Sequence, residues 1–259
     1  MRPMIGNFSG TVTDAHGNTK KIHHFPQVLA IARLQKEARL RILLKAIGHP
    51  EALDYLKTYN VGAGNLYHNT QHCIGVAHYA VEIAATETLN DPQFAGLVLG
   101  ALFHDFHHTG GNQQVPDSHN IEAAVSGLHE YKAMLRQKNV VEWVNFDKVF
   151  PIAEEAIRVT EFPFIHEPKN IVQQIIRDAD LLYASASADT LYILESLRCE
   201  IMKKTGTNIT PVDFVKQQRS FLKAATFYTE AGRAMFDAVA PLSLDLLEAY
   251  ANSQEDHNE

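Results

Sequence analysis

The chain has 259 residues, 46% hydrophobic and 20% charged, with 30 acids against 23 bases and a formal net charge of −7. That balance suits a globular chain able to bury a large core, and it excludes a broad polyanion-binding surface, which would need a basic stripe. There is no apolar run of roughly 18 residues, so no transmembrane helix is expected. Two cysteines, Cys73 and Cys199, are too few for a disulfide framework, and Met1–Gly6 lacks the apolar segment of a secretory signal; a reducing cytoplasm is the expected setting.

In chain order, Phe8–Thr13 and Lys20–Phe25 flank a short turn at Asp14–Asn18 and predict a β-hairpin appendage over residues 1–25. Two strands alone are marginal, so the appendage is not expected to stand by itself. From Pro26 the pattern turns helical: Val28, Leu29, Ile31, Ala32, Leu34, Ala38, Ile42 and Leu43 recur mostly at three- and four-residue spacing until Gly48-His49-Pro50. Further helices are predicted at about 50–59, 67–88, 92–108, 118–138, 146–161, 169–183, 187–205, 211–228 and 230–252. Asp117-Ser118 followed by Glu122 reads as a helix start, while Gly110-Gly111-Asn112 and Phe162-Pro163 read as breaks. The expectation is one all-α domain over 26–253 and a disordered acidic tail over 254–259. Tyr228, Phe236 and the apolar C-terminal helix read as core, with a homodimer face as the alternative.

Fourteen histidines are present, and six of them fall between His68 and His108. His68 and His72 lie four residues apart on one predicted helical face, His104-Asp105 adjoin on a second helix, and Asp180 sits on a third. Such a set makes a divalent-metal cage, because buried imidazoles and carboxylates are costly to desolvate separately. The predicted ligands are His72, His104, Asp105 and Asp180, and these N/O donors do not distinguish Zn, Mn, Mg, Fe or Ni. Asp105 is placed to bridge a second ion, and two ions about 3.5–4 Å apart would activate a shared water and clamp an in-line phosphoryl displacement.

His68, one predicted turn before His72, is the candidate general acid; a capping or core histidine is the bland alternative. His108 and His119 are candidates to orient water, contact phosphate or hold the second metal, and His107 is a weaker one. Glu122, one turn after His119, is a candidate to hydrogen-bond a metal-bound water, with a plain surface glutamate as the alternative.

At these residues the chain resembles the HD-domain metal-dependent phosphohydrolase superfamily, and most closely the catalytic domain of class I cyclic nucleotide phosphodiesterases. Tyr67 through His72 match that family's Tyr-His-Asn-x-x-His. Ala101 through Gly110, with Asn112-Gln113, follow its Ala-Leu-x-His-Asp-x-Asp-His-Pro-Gly and Asn-Gln. Thr160-Glu161-Phe162 is similar to its Thr-Asp-Met, Ala179-Asp180-Leu181 to its Ala-Asp-Leu, and Gln218 with Phe221 to its Gln-x-x-Phe.

The resemblance implies an HD-domain helical bundle, with His68 as the acid that protonates the leaving oxygen after a metal-activated hydroxide attacks phosphorus. It implies that His72, His104, Asp105 and Asp180 hold the first of two divalent ions, with Asp105 also reaching the second. It further implies that Gln218 pairs with a base edge while Phe221 stacks on it. Two departures stand out: His107 replaces the family's Asp, and Leu182-Tyr183-Ala184 replaces its Asn-Pro contact to the base.

The expected activity is therefore hydrolysis of a small phosphoester or nucleotide, first a cyclic nucleotide and next a nucleoside monophosphate. Neither a nucleic-acid polymer nor a membrane is an expected partner. A di-iron oxygenase would need His108 or His119 together with His129 or His166 as extra ligands, and the spacing fits poorly. A non-catalytic metal-binding signalling module is the third reading, against which His68 and the full ligand set speak. A Gly-Tyr-Pro triplet and a His-Asp-x-x-Glu-Asp run are both missing, which disfavours cyclic-dinucleotide and alarmone hydrolysis.

Overall fold

The computed structural model describes residues 8–13, 19–24, 26–110, 115–138, 145–186 and 190–255, and over them the predicted pattern becomes ten helices. These are α1 (Pro26–Ala46), α2 (Ala52–Tyr59), α3 (Thr70–Ala84), α4 (Asp91–Phe103) and α5 (Asp117–Gln137). They continue with α6 (Phe146–Arg158), α7 (Ile171–Ala186), α8 (Thr190–Thr205), α9 (Pro211–Ala224) and α10 (Glu230–Glu255). Ahead of α1, the backbones of β1 (Phe8–Thr13) and β2 (Thr19–His24) run antiparallel with Phe8 opposite His24. The predicted turn at 14–18 and the end of the predicted tail, 256–259, lie outside the described residues, as does Asn112-Gln113. No described helix is long and apolar enough to cross a membrane.

Helix starts follow side-chain chemistry. Asn90 closes a capping box with Gln93 at the head of α4, and Thr210 accepts from the Asp213 amide one residue before Pro211 opens α9. Helix α4 is the central element, buried continuously from Ala95 to Phe103. Its closest partner is α6, and Gly96 and Gly100 permit the approach: a Cβ there would lie 2.6 Å from Ile152 and 2.8 Å from Ala156. Helix α7 packs on α3 across Gly75, where a Cβ would come within 2.3 Å of the Tyr183 ring. Tyr55, Phe103, Phe106 and Tyr131 form an aromatic cluster behind the end of α4, with ring centroids 5.2–6.2 Å apart. At the C-terminus, half-buried Phe236 packs against Phe227 at 4.6 Å, on the edge of the core.

Several helices are shorter than expected, and two of these differences reshape the site. The helix predicted from residue 67 begins at Thr70, because Asn69 caps it by accepting from the amides of Gln71 and His72. His68 is therefore on the approach loop, not one helical turn before His72. The helix predicted to reach residue 108 stops at Phe103. His107 takes a left-handed backbone conformation (φ 67°), stabilised as its amide donates 2.9 Å to Asn60 Oδ1 and its Nδ1 accepts from the Val61 amide at 3.1 Å. The histidine-rich stretch is thus a turn that presents successive side chains in different directions.

Candidate metal centre and active site

Four predicted ligands converge where α3, the turn after α4, and α7 meet. His72 Nε2 lies 3.0 Å from His104 Nε2, 2.9 Å from Asp105 Oδ2 and 3.4 Å from Asp180 Oδ1. His104 Nε2 is 3.3 Å from Asp105 Oδ2 and 3.7 Å from Asp180 Oδ1. Donor atoms about 2.1 Å from one ion, at tetrahedral or octahedral angles, are separated by about 3.0–3.4 Å, so the mutual spacing of His72, His104 and Asp180 suits a shared divalent cation, with Asp105 against both imidazoles.

The donor chemistry agrees. His104 Nδ1 is 2.9 Å from the Ala101 carbonyl, to which only an N–H can donate, and that leaves the Nε2 lone pair facing the cluster. Both imidazoles are buried, yet two carboxylates face them. Burial opposes charge on His104, but Asp105 and Asp180 override it and hold the ring well above the ordinary imidazole value. The same attraction keeps Asp105 and Asp180 well below the carboxylate range despite their burial. The pocket favours positive charge, which a metal ion would supply.

Asp178, two residues before Asp180, points the other way because helical positions two apart diverge by about 200°. It is fully buried and accepts from the amides of Tyr228 (2.9 Å) and Thr229 (2.8 Å) and from the Thr229 hydroxyl (2.7 Å), anchoring the start of α10. Just before Asp178, Arg177 donates to the carbonyls of Val159 (3.1 Å) and His166 (3.0 Å) and sits 3.4 Å above the Phe164 ring. It thereby fixes the loop that brings Phe162 and Phe164 to the rim of a cavity.

That cavity, about 420 Å³, opens beside the ligand cluster. Its polar wall includes His68, His108, Asp117, Asp180 and Glu200, and its apolar wall includes Phe162, Phe164, Leu181, Leu197, Ile201 and Phe221. Gln218 lines it too and is 8% exposed. His68 Nδ1 bonds to Glu200 Oε1, while Glu200 Oε2 accepts from the Tyr67 amide at 2.9 Å. Burial lowers the tendency of His68 to hold a proton, but the charges of Asp105 and Glu200 outweigh it and raise its pKa. Burial likewise opposes ionisation of Glu200, yet its bond to His68 prevails and its pKa falls to about 2.

His108 stacks on His68 with ring centroids 3.9 Å apart, accepts from the Gly110 amide at 3.0 Å, and turns Nε2 toward Asp117 at 3.7 Å. Asn65 ties the two loops together, donating to the carbonyls of His68 (2.9 Å) and His108 (2.7 Å).

The other predicted residues lie elsewhere. Glu122 is at the surface, paired with Arg158 at 2.5 Å, and His119 is exposed on the first turn of α5. His107 is occupied by its bond to the Val61 amide. His129 and His166, the extra ligands a di-iron site would need, are exposed and near Glu154 (3.0 Å) and Glu161 (3.5 Å). Tyr183 packs edge-on against His72 at 4.7 Å and does not line this cavity.

Sequence reasoning missed Glu200 and Asp117. Glu200 had one signal, an acid beside the apolar stripe of Leu194, Leu197 and Ile201. Asp117 was read as a helix start and does open α5; what the sequence did not report is that its carboxylate accepts from Asn120 Nδ2 at 3.0 Å and from the Phe162 amide at 2.6 Å.

Residues 67–181 match the family described as 3'5'-cyclic nucleotide phosphodiesterase. Among solved structures, the phosphodiesterase domain of the RhoPDE fusion protein from the choanoflagellate Salpingoeca rosetta superimposes with a TM-score of 0.57, 14% identity and 89% coverage of both chains. At that identity the likeness is one of fold. No curated protein matches the chain.

Proposed function

On the premise that this chain carries a class I cyclic nucleotide phosphodiesterase-like domain, we propose that it hydrolyses a cyclic nucleotide to the 5'-monophosphate, with His68 as general acid. The observation that carries the reading is one juxtaposition. The donors of His72, His104, Asp105 and Asp180 converge beside the His68–Glu200 pair, at the wall of a cavity large enough for a nucleotide. These four side chains would hold a divalent cation, which when bound supplies Lewis-acid charge and lowers the pKa of water. Asp105 also reaches a second ion in this reading.

Glu200 holds the His68 ring through Nδ1 and favours its protonated form, leaving Nε2 to give a proton to the departing ribose oxygen. His108 stacks on His68 and limits its rotation, and Asp117 orients His108. Gln218 reads a base edge while Phe221 stacks on the ring, with Phe162 beside it at 6.0 Å. Loss of the asparagine contact at Tyr183 predicts weak discrimination between bases, and it keeps a nucleoside monophosphate as the second substrate class.

The same proposal takes residues 1–25 as a hairpin appendage, 26–253 as the catalytic domain and 254–259 as a tail. It places the protein in the cytoplasm without a nucleic-acid polymer or membrane partner, and treats a homodimer as the alternative to a monomer.

The test is product analysis with Mg²⁺, Mn²⁺ or Zn²⁺ on cyclic AMP, cyclic GMP and nucleoside monophosphates. Formation of a 5'-monophosphate supports the proposal. Free phosphate from monophosphates alone moves the protein to the nucleotidase side of the superfamily.

A further inference from the structure

His68 and His108 stack on one another from two separate stretches of chain, the loop before α3 and the turn after α4. Ring stacking alone is a loose tie, since offset and tilted pairs are comparably favourable. Their main chains are joined more strictly. The Asn65 side-chain amide spends one N–H on each stretch, on the His68 carbonyl at 2.9 Å and on the His108 carbonyl at 2.7 Å. Those partners also settle which way the amide points, because its oxygen in that place would face two carbonyl oxygens. Glycines leave room on both sides. A Cβ at Gly110, which is left-handed (φ 54°), would lie 2.2 Å from Asn65 Oδ1, and one at Gly62 would lie 3.3 Å from Nδ2.

Asn65 is itself anchored. Its main-chain N–H donates to the Gly62 carbonyl at 2.9 Å, and its carbonyl accepts from Asn69 Nδ2 at 3.1 Å. Asn69 is the residue that caps α3 and accepts from the His72 amide, so the His68 carbonyl is referred to the helix that carries a predicted metal ligand. The turn after α4 has further ties: Asn60 accepts from the His107 amide, and the His107 ring accepts from the Val61 amide. The place of His104 and Asp105 therefore does not rest on Asn65 alone.

We propose, on the reading of His68 as general acid, that Asn65 is a positioning residue for the reaction. By clamping the carbonyls of His68 and His108 it sets where His68 Nε2 stands relative to the metal ligands. A reacting group misplaced by about 1 Å loses rate steeply, so the amide acts on turnover and not on metal binding.

The test is Asn65→Asp, which keeps the shape of the side chain and turns its donor into an acceptor facing two carbonyls. Asn65→Ala is the second variant should the carboxylate prevent folding, because Asn65 is half-buried and water can reach the freed carbonyls. On a cyclic nucleotide kcat should fall at least about tenfold, while bis(4-nitrophenyl) phosphate, whose leaving group needs little protonation, should lose less than about threefold. Bound metal should be unchanged. A merely structural role would lower both substrates alike. In the His68→Ala background the same substitution should cost less than about twofold, because the group it positions is gone. Equal losses on the two substrates, losses that multiply with those of His68→Ala, or full turnover in both Asn65 variants overturn the proposal alone. Absent cyclic-nucleotide turnover, or turnover indifferent to His68→Ala, overturns the general-acid reading with it.

Discussion

Replacing Glu200 by Gln keeps the size of the side chain and an acceptor for the Tyr67 amide, but removes the charge that faces His68. The Glu200 carboxyl is held at about 2 against an ordinary 4.5, which at about 1.36 kcal/mol per pKa unit is about 3 kcal/mol in favour of the ionised form. Glu200 is only 5% exposed, so little of this is lost to solvent screening. The Tyr67 amide and His108 supply part of it, making 3 kcal/mol about the upper bound on what the carboxylate does for protonated His68.

The coupling is reciprocal. Without it His68 gives up its proton at lower pH, and the basic limb of the pH–rate profile moves to lower pH. At neutral pH kcat should fall about 10- to 200-fold, within the range general acid catalysis spans. The assay is initial-rate hydrolysis of cyclic AMP or cyclic GMP between pH 5 and 9, with metal content measured in parallel and expected to be unchanged. A kcat within twofold of the unmodified protein and a stationary basic limb would refute the reasoning. The sign for stability runs the other way in pH. The ionised Glu200 contributes fully above about 4.5 and is lost as pH falls toward 2, so Glu200→Gln should cost stability at neutral pH and progressively less in acid, readable by denaturant titration.

His104→Ala removes one of two buried nitrogen donors and should lower divalent-metal affinity at least tenfold, checked by equilibrium dialysis with metal analysis. Asp117→Asn should reduce turnover about tenfold through misorientation of His108, while Glu122→Gln, at a surface pair with Arg158, should change it less than twofold; steady-state kinetics on both variants decides between the two acids. Gly75→Ala would set a Cβ 2.3 Å from the Tyr183 ring and should cost about 1–3 kcal/mol, a drop of several degrees in thermal midpoint.

The helices were legible because their apolar residues repeat at helical spacing, and all ten observed helices answer to predicted segments. The ligand set was legible for a related reason: His72, His104-Asp105 and Asp180 sit in short runs whose residue types already favour a metal. What lay outside the pattern was tertiary or depended on a local cap. Asn69 serves as a helix cap and sets His68 on a loop, and Asn60 holds His107 in a left-handed turn, so helical spacing misplaced both histidines. Glu200 reaches His68 across 132 residues, a distance no local periodicity reports. Asp117 opens α5 as its local pattern indicates, but the turn of its carboxylate toward His108 and the Phe162 amide is tertiary and leaves no mark in that pattern.

The most direct test sets two substrates against one substitution. Metal-loaded protein and His68→Ala are compared on a cyclic nucleotide, whose ribose leaving oxygen needs a proton, and on bis(4-nitrophenyl) phosphate, whose leaving group needs little help. The account predicts conversion of the cyclic nucleotide to a 5'-monophosphate, with kcat falling by about 100-fold or more in His68→Ala, while the nitrophenyl ester loses less than about tenfold. Equal losses on both substrates, or no turnover of any cyclic nucleotide by the unmodified protein, would contradict it.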